Sequence, residues 1–323
     1  MFLVTKDRII VVDPMGEYAP LVRRLGGQVI DISPDSQCHI NPMDIQMNMA
    51  DDESPLSLKA DFLLSLCELI VGGKDGLQPV EKTVIDRCVR LVYRELALGL
   101  ETAKTPILQD LYDLLCQQPE PEARRIATAL ELYCTGSLNM FNFPTNVDLN
   151  SRVTCFVLKN LGENLRKIAM HITNELVTSA VNSNFQNGMA TWCYFDEFHV
   201  LLRDSLTASY FVAVWKMLRK KGCVPSALTQ NVKDLLASRE IENILENTDF
   251  MVLLSQAQGD RAILAKQLGI SPHQLSYITQ SESGKGLLFY GDTTIPVIDR
   301  FPQDTEIYRL LTTRPEDMKN DAA

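Results

Sequence analysis

Short apolar runs alternate with longer stretches of helical periodicity along most of the chain, which predicts an α/β fold built on a mostly parallel sheet. Arg8-Ile9-Ile10-Val11-Val12-Asp13 reads as a buried strand. Pro14 and Gly16 form the turn after it, Pro20 opens a short helix through Leu25, and Gly26-Gly27 stops that helix. Gln28 to Ile32 is the second strand, and Asn41-Pro42-Met43-Asp44 closes this opening unit in a tight turn. The first strand starts within eight residues of Met1, so the chain is expected to enter its sheet in the middle.

Residues 50–140 change character. Leu56 to Leu69 and Pro79 to Leu98 carry apolar residues at helical spacing; Thr105-Pro106 is expected to cap and open a third helix, and Ala123 to Tyr133 a fourth. No strand pattern interrupts them, so this stretch is expected to be a helical insertion on the α/β core. The expected organisation is a core start at 1–49, the insertion at 50–140, the rest of the core at 141–312, and a flexible tail at 313–323. Strands resume at Arg152 to Leu158, followed by a helix over Glu163 to Asn182 and a turn at Asn184 to Gly188. Further on, Cys223 to Leu228 and Asp249 to Leu254 read as strands, and Gly284 to Ile298 as a hairpin. Tyr210, Phe211, Val214, Trp215 and Leu218 form a stripe at helical spacing that reads as core.

The chemistry gathers on Thr191-Trp192-Cys193-Tyr194-Phe195-Asp196-Glu197-Phe198-His199. A buried strand runs into two adjacent carboxylates, and open α/β sheets bind ligands beyond the carboxyl ends of their strands. Asp196 there can hold Mg²⁺ and Glu197 can orient and deprotonate a water, which is the Walker B pattern of a nucleotide hydrolase. The alternative is a strand ending in a solvated acidic turn. Thr229-Gln230-Asn231 falls after another short strand, where polar side chains either sense a γ-phosphate or cap the helix expected at Val232 to Ser238. Asp13 and Glu17 either line the same edge or cap their own turn.

Composition narrows the field. The 323 residues carry a formal net charge of −10, which argues against a surface that coats nucleic acid but leaves a local basic patch open. The eight cysteines show no CxxC or zinc-type spacing and suit a reducing compartment. No apolar run reaches the ~20 residues of a membrane span, and the N-terminus does not read as a signal peptide. Gly284-Lys285-Gly286 is not a phosphate loop: the preceding glycine of GxxxxGK[ST] is absent and Gly286 stands at the Ser/Thr position. No other stretch supplies that loop, nor a Gly-x-Ser-x-Gly elbow, nor a dinucleotide glycine fingerprint.

Five elements occur in one order: Asp13-Pro14-Met15-Gly16-Glu17-Tyr18, Asn41-Pro42, Tyr194 to His199, Gly222 through Thr229-Gln230-Asn231, and Gly284 to Leu288. Together they resemble the C-terminal ATPase domain of the large type IV secretion and conjugative-transfer ATPases, within the wider FtsK-like and HerA-like motors. The resemblance implies a RecA-like sheet with a helical insertion, ATP and Mg²⁺ as ligands, and a cytoplasmic protein that associates peripherally with a membrane-embedded channel. Hexamers, single-stranded DNA and other components of the machinery are the partners it implies. It assigns Mg²⁺ to Asp196, water activation to Glu197, γ-phosphate sensing to Gln230, and the nucleotide site's wall to Asp13 and Glu17. It makes Arg219, ahead of Arg261, the candidate arginine finger; His199 reads equally well as an ordinary buried or capping histidine. Relatives carry the phosphate loop upstream of the Asp-Pro-x-Gly-Glu-Tyr strand, so the chain is expected to be truncated before that strand and helix and to hydrolyse little ATP alone. A non-catalytic subunit of the same machinery is the main alternative; an unrelated metal-dependent hydrolase using Asp13, Glu17, Asp196 and Glu197 is a third.

Overall fold

The computed structural model describes residues 5–45, 54–73, 76–100, 102–200, 205–230, 241, 244–245, 247–256, 261–279 and 282–312. It divides into two compact units, Met1–Tyr194 with Leu218–Ser226, and Phe195–Met217 with Ala227–Ala323. The helix expected at 232–238, Asn231 and the tail after 313 lie outside the described residues.

The first unit is built on a five-stranded sheet in the order β2-β3-β1-β4-β5, formed by β1 (Arg8–Asp13), β2 (Gln28–Asp31), β3 (Val153–Val157), β4 (Thr191–Phe195) and β5 (Cys223–Ala227). β1 is the middle strand, as the opening of the sequence implied. It pairs parallel with β3 from Ile9↔Val153 to Asp13↔Val157, and β2 pairs parallel with the other side of β3. All five residues of β3 are buried, as expected for a strand flanked on both sides and covered on both faces. The helix α1 (Ala19–Arg24) returns the chain from β1 to β2. Glycine is required at position 27, where a Cβ would lie 2.7 Å from the Val153 carbonyl oxygen and 2.8 Å from Val22 Cγ1.

β5 closes one edge of this sheet and carries a proline. The Thr191 N–H donates to the Gly222 carbonyl (3.4 Å), which turns the backbone groups of even-numbered β5 residues toward β4. Pro225 therefore directs its missing N–H away from β4, to the side where no strand pairs among the described residues, and costs no ladder bond there.

Between β2 and β3 lie α2 (Pro55–Val71), α3 (Pro79–Val92), α4 (Arg94–Ala97), α5 (Leu108–Cys116) and α6 (Pro121–Cys134), with no strand among the described residues. α5 starts two residues later than Thr105-Pro106 suggested. The Asp110 carboxylate accepts from the Ile107 N–H (2.7 Å), setting Ile107 as the cap, while the Pro106 carbonyl accepts from Asn41 Nδ2 (2.8 Å). α7 (Glu163–Gln186) runs through the turn expected at Asn184. Its last turn is anchored by Asn184, which accepts from Arg8 Nη1 (3.4 Å) and donates to Thr191 Oγ1 (2.8 Å).

α2 and α7 meet over a buried polar contact. Lys59 Nζ lies 3.1 Å from Glu175 Oε1, donates to the Pro42 carbonyl at 3.3 Å, and sits 4.7 Å from the centre of the Phe62 ring. Beside it His171 stacks on Phe62 and lies 2.7 Å from Ser65 Oγ through Nε2. Burial, reinforced by the Lys59 charge, lowers the His171 pKa to about 4. The unfolded chain takes up this proton near pH 6.5 and the folded chain only near 4, so stability falls as pH drops through that window. At pH 4.5 this residue alone is expected to cost about 2–3 kcal/mol relative to pH 7. Urea unfolding at both pH values should show a loss smaller by that amount in His171→Gln; an equal loss in both proteins refutes the assignment.

The second unit holds an antiparallel sheet of β6 (Phe250–Leu253), β7 (Lys285–Tyr290) and β8 (Thr293–Ile298), in that order. One face packs Leu253 and Leu287 against Leu264 of α9 (Arg261–Leu268), Ile270 and Ile278. Ser271 caps α10 (Pro272–Ser276) by accepting from the Gln274 N–H (3.3 Å), and Thr305 caps α11 (Glu306–Leu311). Phe211 and Trp215 of α8 (Ser205–Lys220) form the core that the sequence stripe predicted. Phe211 lies edge-on to Phe195 (4.9 Å) and Phe198 (5.1 Å), with Trp215 5.5 Å from Phe198.

Candidate functional site

Asp196 and Glu197 follow the last residue of β4, between two fully buried phenylalanines, Phe195 and Phe198. Those rings, locked against Phe211 and Trp215, fix the backbone on either side of the acids. The Leu228 N–H donates to the Phe195 carbonyl (2.9 Å) and the Phe198 N–H to the Leu228 carbonyl (2.8 Å), which ties the acid pair to the segment after β5. The Val200 N–H closes a tight turn on the Glu197 carbonyl (2.8 Å).

Glu197 has φ = +44°, a left-handed conformation that a glutamate adopts only when its surroundings impose it. Residues held this way concentrate at functional sites. Its Oε2 is buried and has no hydrogen-bond partner. His199 Nδ1 lies 3.2 Å away, at ion-pair distance but outside hydrogen-bond alignment, and 3.1 Å from Thr229 Oγ1. The geometry therefore brings together Glu197, His199 and Thr229, with one carboxylate oxygen unsatisfied. Asp196 is partly exposed beside them, and Gln230, which follows Thr229, is exposed. Sequence reasoning noted His199 and Thr229 separately and missed their contact, since a His–Thr pair 30 residues apart leaves no periodic signal.

Asp13 is fully buried. Its Oδ1 accepts from the N–H groups of Met15 (3.2 Å) and Gly16 (2.6 Å), and its Oδ2 from the Tyr18 N–H (2.8 Å). The carboxylate thus organises the turn after β1, in which Gly16 takes φ = +80°. Glu17, in the same turn, is exposed. Arg219 is exposed in the last turn of α8. Arg261 opens α9 with its guanidinium on the Gln256 carbonyl (3.2 and 3.4 Å). Lys285 pairs with Glu282 (3.0 Å) and opens β7, the strand that the sequence placed after Gly284.

No protein-family model and no curated protein matches the chain. Among solved structures, VirB4 of Thermoanaerobacter pseudethanolicus superposes with a TM-score of 0.76 at 22% identity, covering 92% of this chain and 83% of that one. The chain has the fold of VirB4. The bacterial conjugative coupling protein TrwB, in its unbound form, aligns at a TM-score of 0.50 and 13% identity over 93% of this chain and 87% of its own. TrwB in complex with ADP and Mg²⁺ aligns at 0.50 and 14% identity, over 93% of this chain and 87% of its own. The mostly parallel α/β architecture read from the sequence is thus the architecture found, and VirB4 and TrwB share it. No helix among the described residues is long and apolar enough to cross a membrane.

Proposed function

We propose that this chain is the ATPase-fold module of a conjugative-transfer or type IV secretion motor, in which ATP hydrolysis is coupled to export of DNA or protein. The observation that carries the reading is Glu197: a strained backbone and an unsatisfied, buried carboxylate oxygen at the carboxyl end of a central strand. A structural turn would relax the first and satisfy the second, whereas a water-activating base needs both position and a free acceptor.

Mg²⁺-ATP, when bound, supplies the phosphoanhydride and the cation that offsets its charge. Among the described residues no group of three or more His, Cys, Asp or Glu side chains could hold a metal ion. In this reading Asp196 would hold the Mg²⁺ that accompanies the nucleotide, an ion usually bound through one or two carboxylates. Glu197 orients and deprotonates the attacking water. His199, braced by Thr229, fixes the Glu197 side chain. Gln230 senses the γ-phosphate, Asp13 shapes the turn that presents Glu17 to the nucleotide, and Arg219 reaches a neighbouring subunit's nucleotide in a hexamer. The working location in this reading is the cytoplasm, at the inner face of the membrane through partner proteins.

The 323 residues contain no GxxxxGK[ST] loop. Its backbone amides and lysine supply most of the phosphate cradle in nucleotide hydrolases of this kind. That absence favours a second reading, a non-catalytic subunit of the same machinery that keeps the fold for docking. Mn²⁺ binding separates the two. Water-proton relaxation with Mn²⁺ and ATP should report a weak site that Asp196→Asn removes. Identical titrations for the two proteins would leave the docking reading.

A further inference from the structure

His171, Glu175, Thr178 and Asn182 stand at i, i+4, i+7 and i+11, a single stripe along α7 without an apolar side chain. α2 of the helical insertion meets its first two members. Lys59 Nζ lies 3.1 Å from Glu175 Oε1, Ser65 Oγ lies 2.7 Å from His171 Nε2, and the Phe62 ring stacks on the imidazole. The other two continue the stripe: Thr178 Oγ1 and Asn182 Oδ1 are buried without a hydrogen-bond partner. Each of these atoms forgoes the water it would bind if the face were wet. The ion pair adds little net hold, because both charges regain hydration when they part.

The insertion carries a core of its own. Leu63 of α2, Ile85 of α3, Leu111 of α5 and Ile126 of α6 are fully buried, and these four helices pack on one another. The two chain crossings that join it to the sheet are stitched to each other. The His39 N–H donates to Asn146 Oδ1 (2.7 Å), the Asn146 N–H to the His39 carbonyl (3.2 Å), and the Asn41 N–H to Thr145 Oγ1 (2.9 Å). The turn at 41–44 is fastened to the insertion in the same way: the Tyr93 hydroxyl donates to the Met43 carbonyl (2.6 Å) and Asn41 Nδ2 to the Pro106 carbonyl (2.8 Å). Between this neck and the sheet run two short polar segments, 33–36 and 147–150, in which Pro34, Asp35, Asp148 and Asn150 are exposed.

We propose that the insertion is a hinged arm: it pivots on segments 33–36 and 147–150 with its neck intact, and docks reversibly on α7 through Lys59–Glu175 and Ser65–His171. α7 runs from the end of β3 to the start of β4, so the docked arm rests on the helix that leads into the strand before Asp196 and Glu197. The inference stands on the α2–α7 contact, and its failure leaves the nucleotide reading untouched. Docking has a pH signature. In the docked state His171 faces Phe62, Ser65 and the charge of Lys59 from α2, with Glu175 on its own helix. Burial, reinforced by Lys59 and opposed by a hydrogen bond to the Phe62 backbone, holds its pKa to about 4. Undocked, the imidazole returns toward 6.5 and is protonated more readily. Opening is therefore rarest above pH 6.5 and grows as pH falls toward 4, by about 20-fold between pH 7 and 5.

The test is NMR relaxation dispersion on the full chain at pH 7 and 5, which reads a minor state of ~0.1–10% exchanging on the μs–ms scale. The expected result is dispersion at the His171 ring and the Thr178 methyl, with the minor population about 20-fold higher at pH 5. The methyls of Leu111 inside the insertion and of Val11 in the sheet should stay flat, because both bodies move intact. His171→Gln should keep the dispersion at Thr178 and lose its pH dependence. Thr178→Val, which removes a buried hydroxyl without changing shape, should lower the minor population at least about 5-fold. Flat profiles at His171 and Thr178 at both pH values overturn the proposal. So does dispersion that Leu111 and Val11 share, which reports opening of the whole unit, or a pH rise that survives in His171→Gln.

Discussion

Replacing Asp13 by Ala should destabilise the first unit by about 3–4 kcal/mol, whether or not the residue also meets a nucleotide. Its carboxylate accepts three backbone N–H groups, from Met15, Gly16 and Tyr18, in a turn with Gly16 at φ = +80°. Each amide left without a partner costs about 1–3 kcal/mol when buried, and less where water reaches it. Met15 is exposed and Gly16 and Tyr18 are partly so, which keeps the total below the sum of three buried losses. Asp13→Asn retains one acceptor oxygen and should lose about half as much. Thermal unfolding gives the readout, with an expected fall on the order of 10 °C for Asp13→Ala in a unit of this size. A melting temperature within a degree of wild type, with nucleotide binding lost, would instead place Asp13 directly on the ligand.

How far the fold could be read from the chain depended on the signal that each element carries. The strands β1 to β4 are short runs of Val, Ile, Phe and Cys, and period alone located them. The start of α5 was misplaced because Thr105-Pro106 looks like a cap and first turn, whereas Asp110 reaching back to Ile107 decided it; that side-chain bond leaves only an Asp three residues on. The end of α7 was placed too early for a related reason. Asn184 reads as a turn residue, yet its side chain serves Arg8 and Thr191, partners that sequence spacing does not reveal. At the candidate site, residue types sufficed to single out Asp196 and Glu197. The features that give Glu197 its weight, a positive φ and an orphaned oxygen, arise from Phe195 and Phe198 being locked in an aromatic core. That constraint is tertiary, so no local pattern announces it. Conversely, the run at Phe250 to Leu254 was correctly read as a strand, and it is the structure that shows it at an edge.

In the proposed reading Asp196 and Glu197 supply metal and water chemistry, and the 323 residues carry no GxxxxGK[ST] loop to bind phosphates. The removal of Glu197 should matter most where that loop is supplied. General-base contributions of ~10²–10⁴ imply a comparable loss of turnover in Glu197→Gln within an active assembly. The most direct measurement is Mg²⁺-dependent ATP turnover by the purified chain alone. The account predicts a rate at or near background, below about 0.01 s⁻¹, against the roughly 1–10³ s⁻¹ typical of enzymes. Turnover on the order of 1 s⁻¹ from these 323 residues would contradict it.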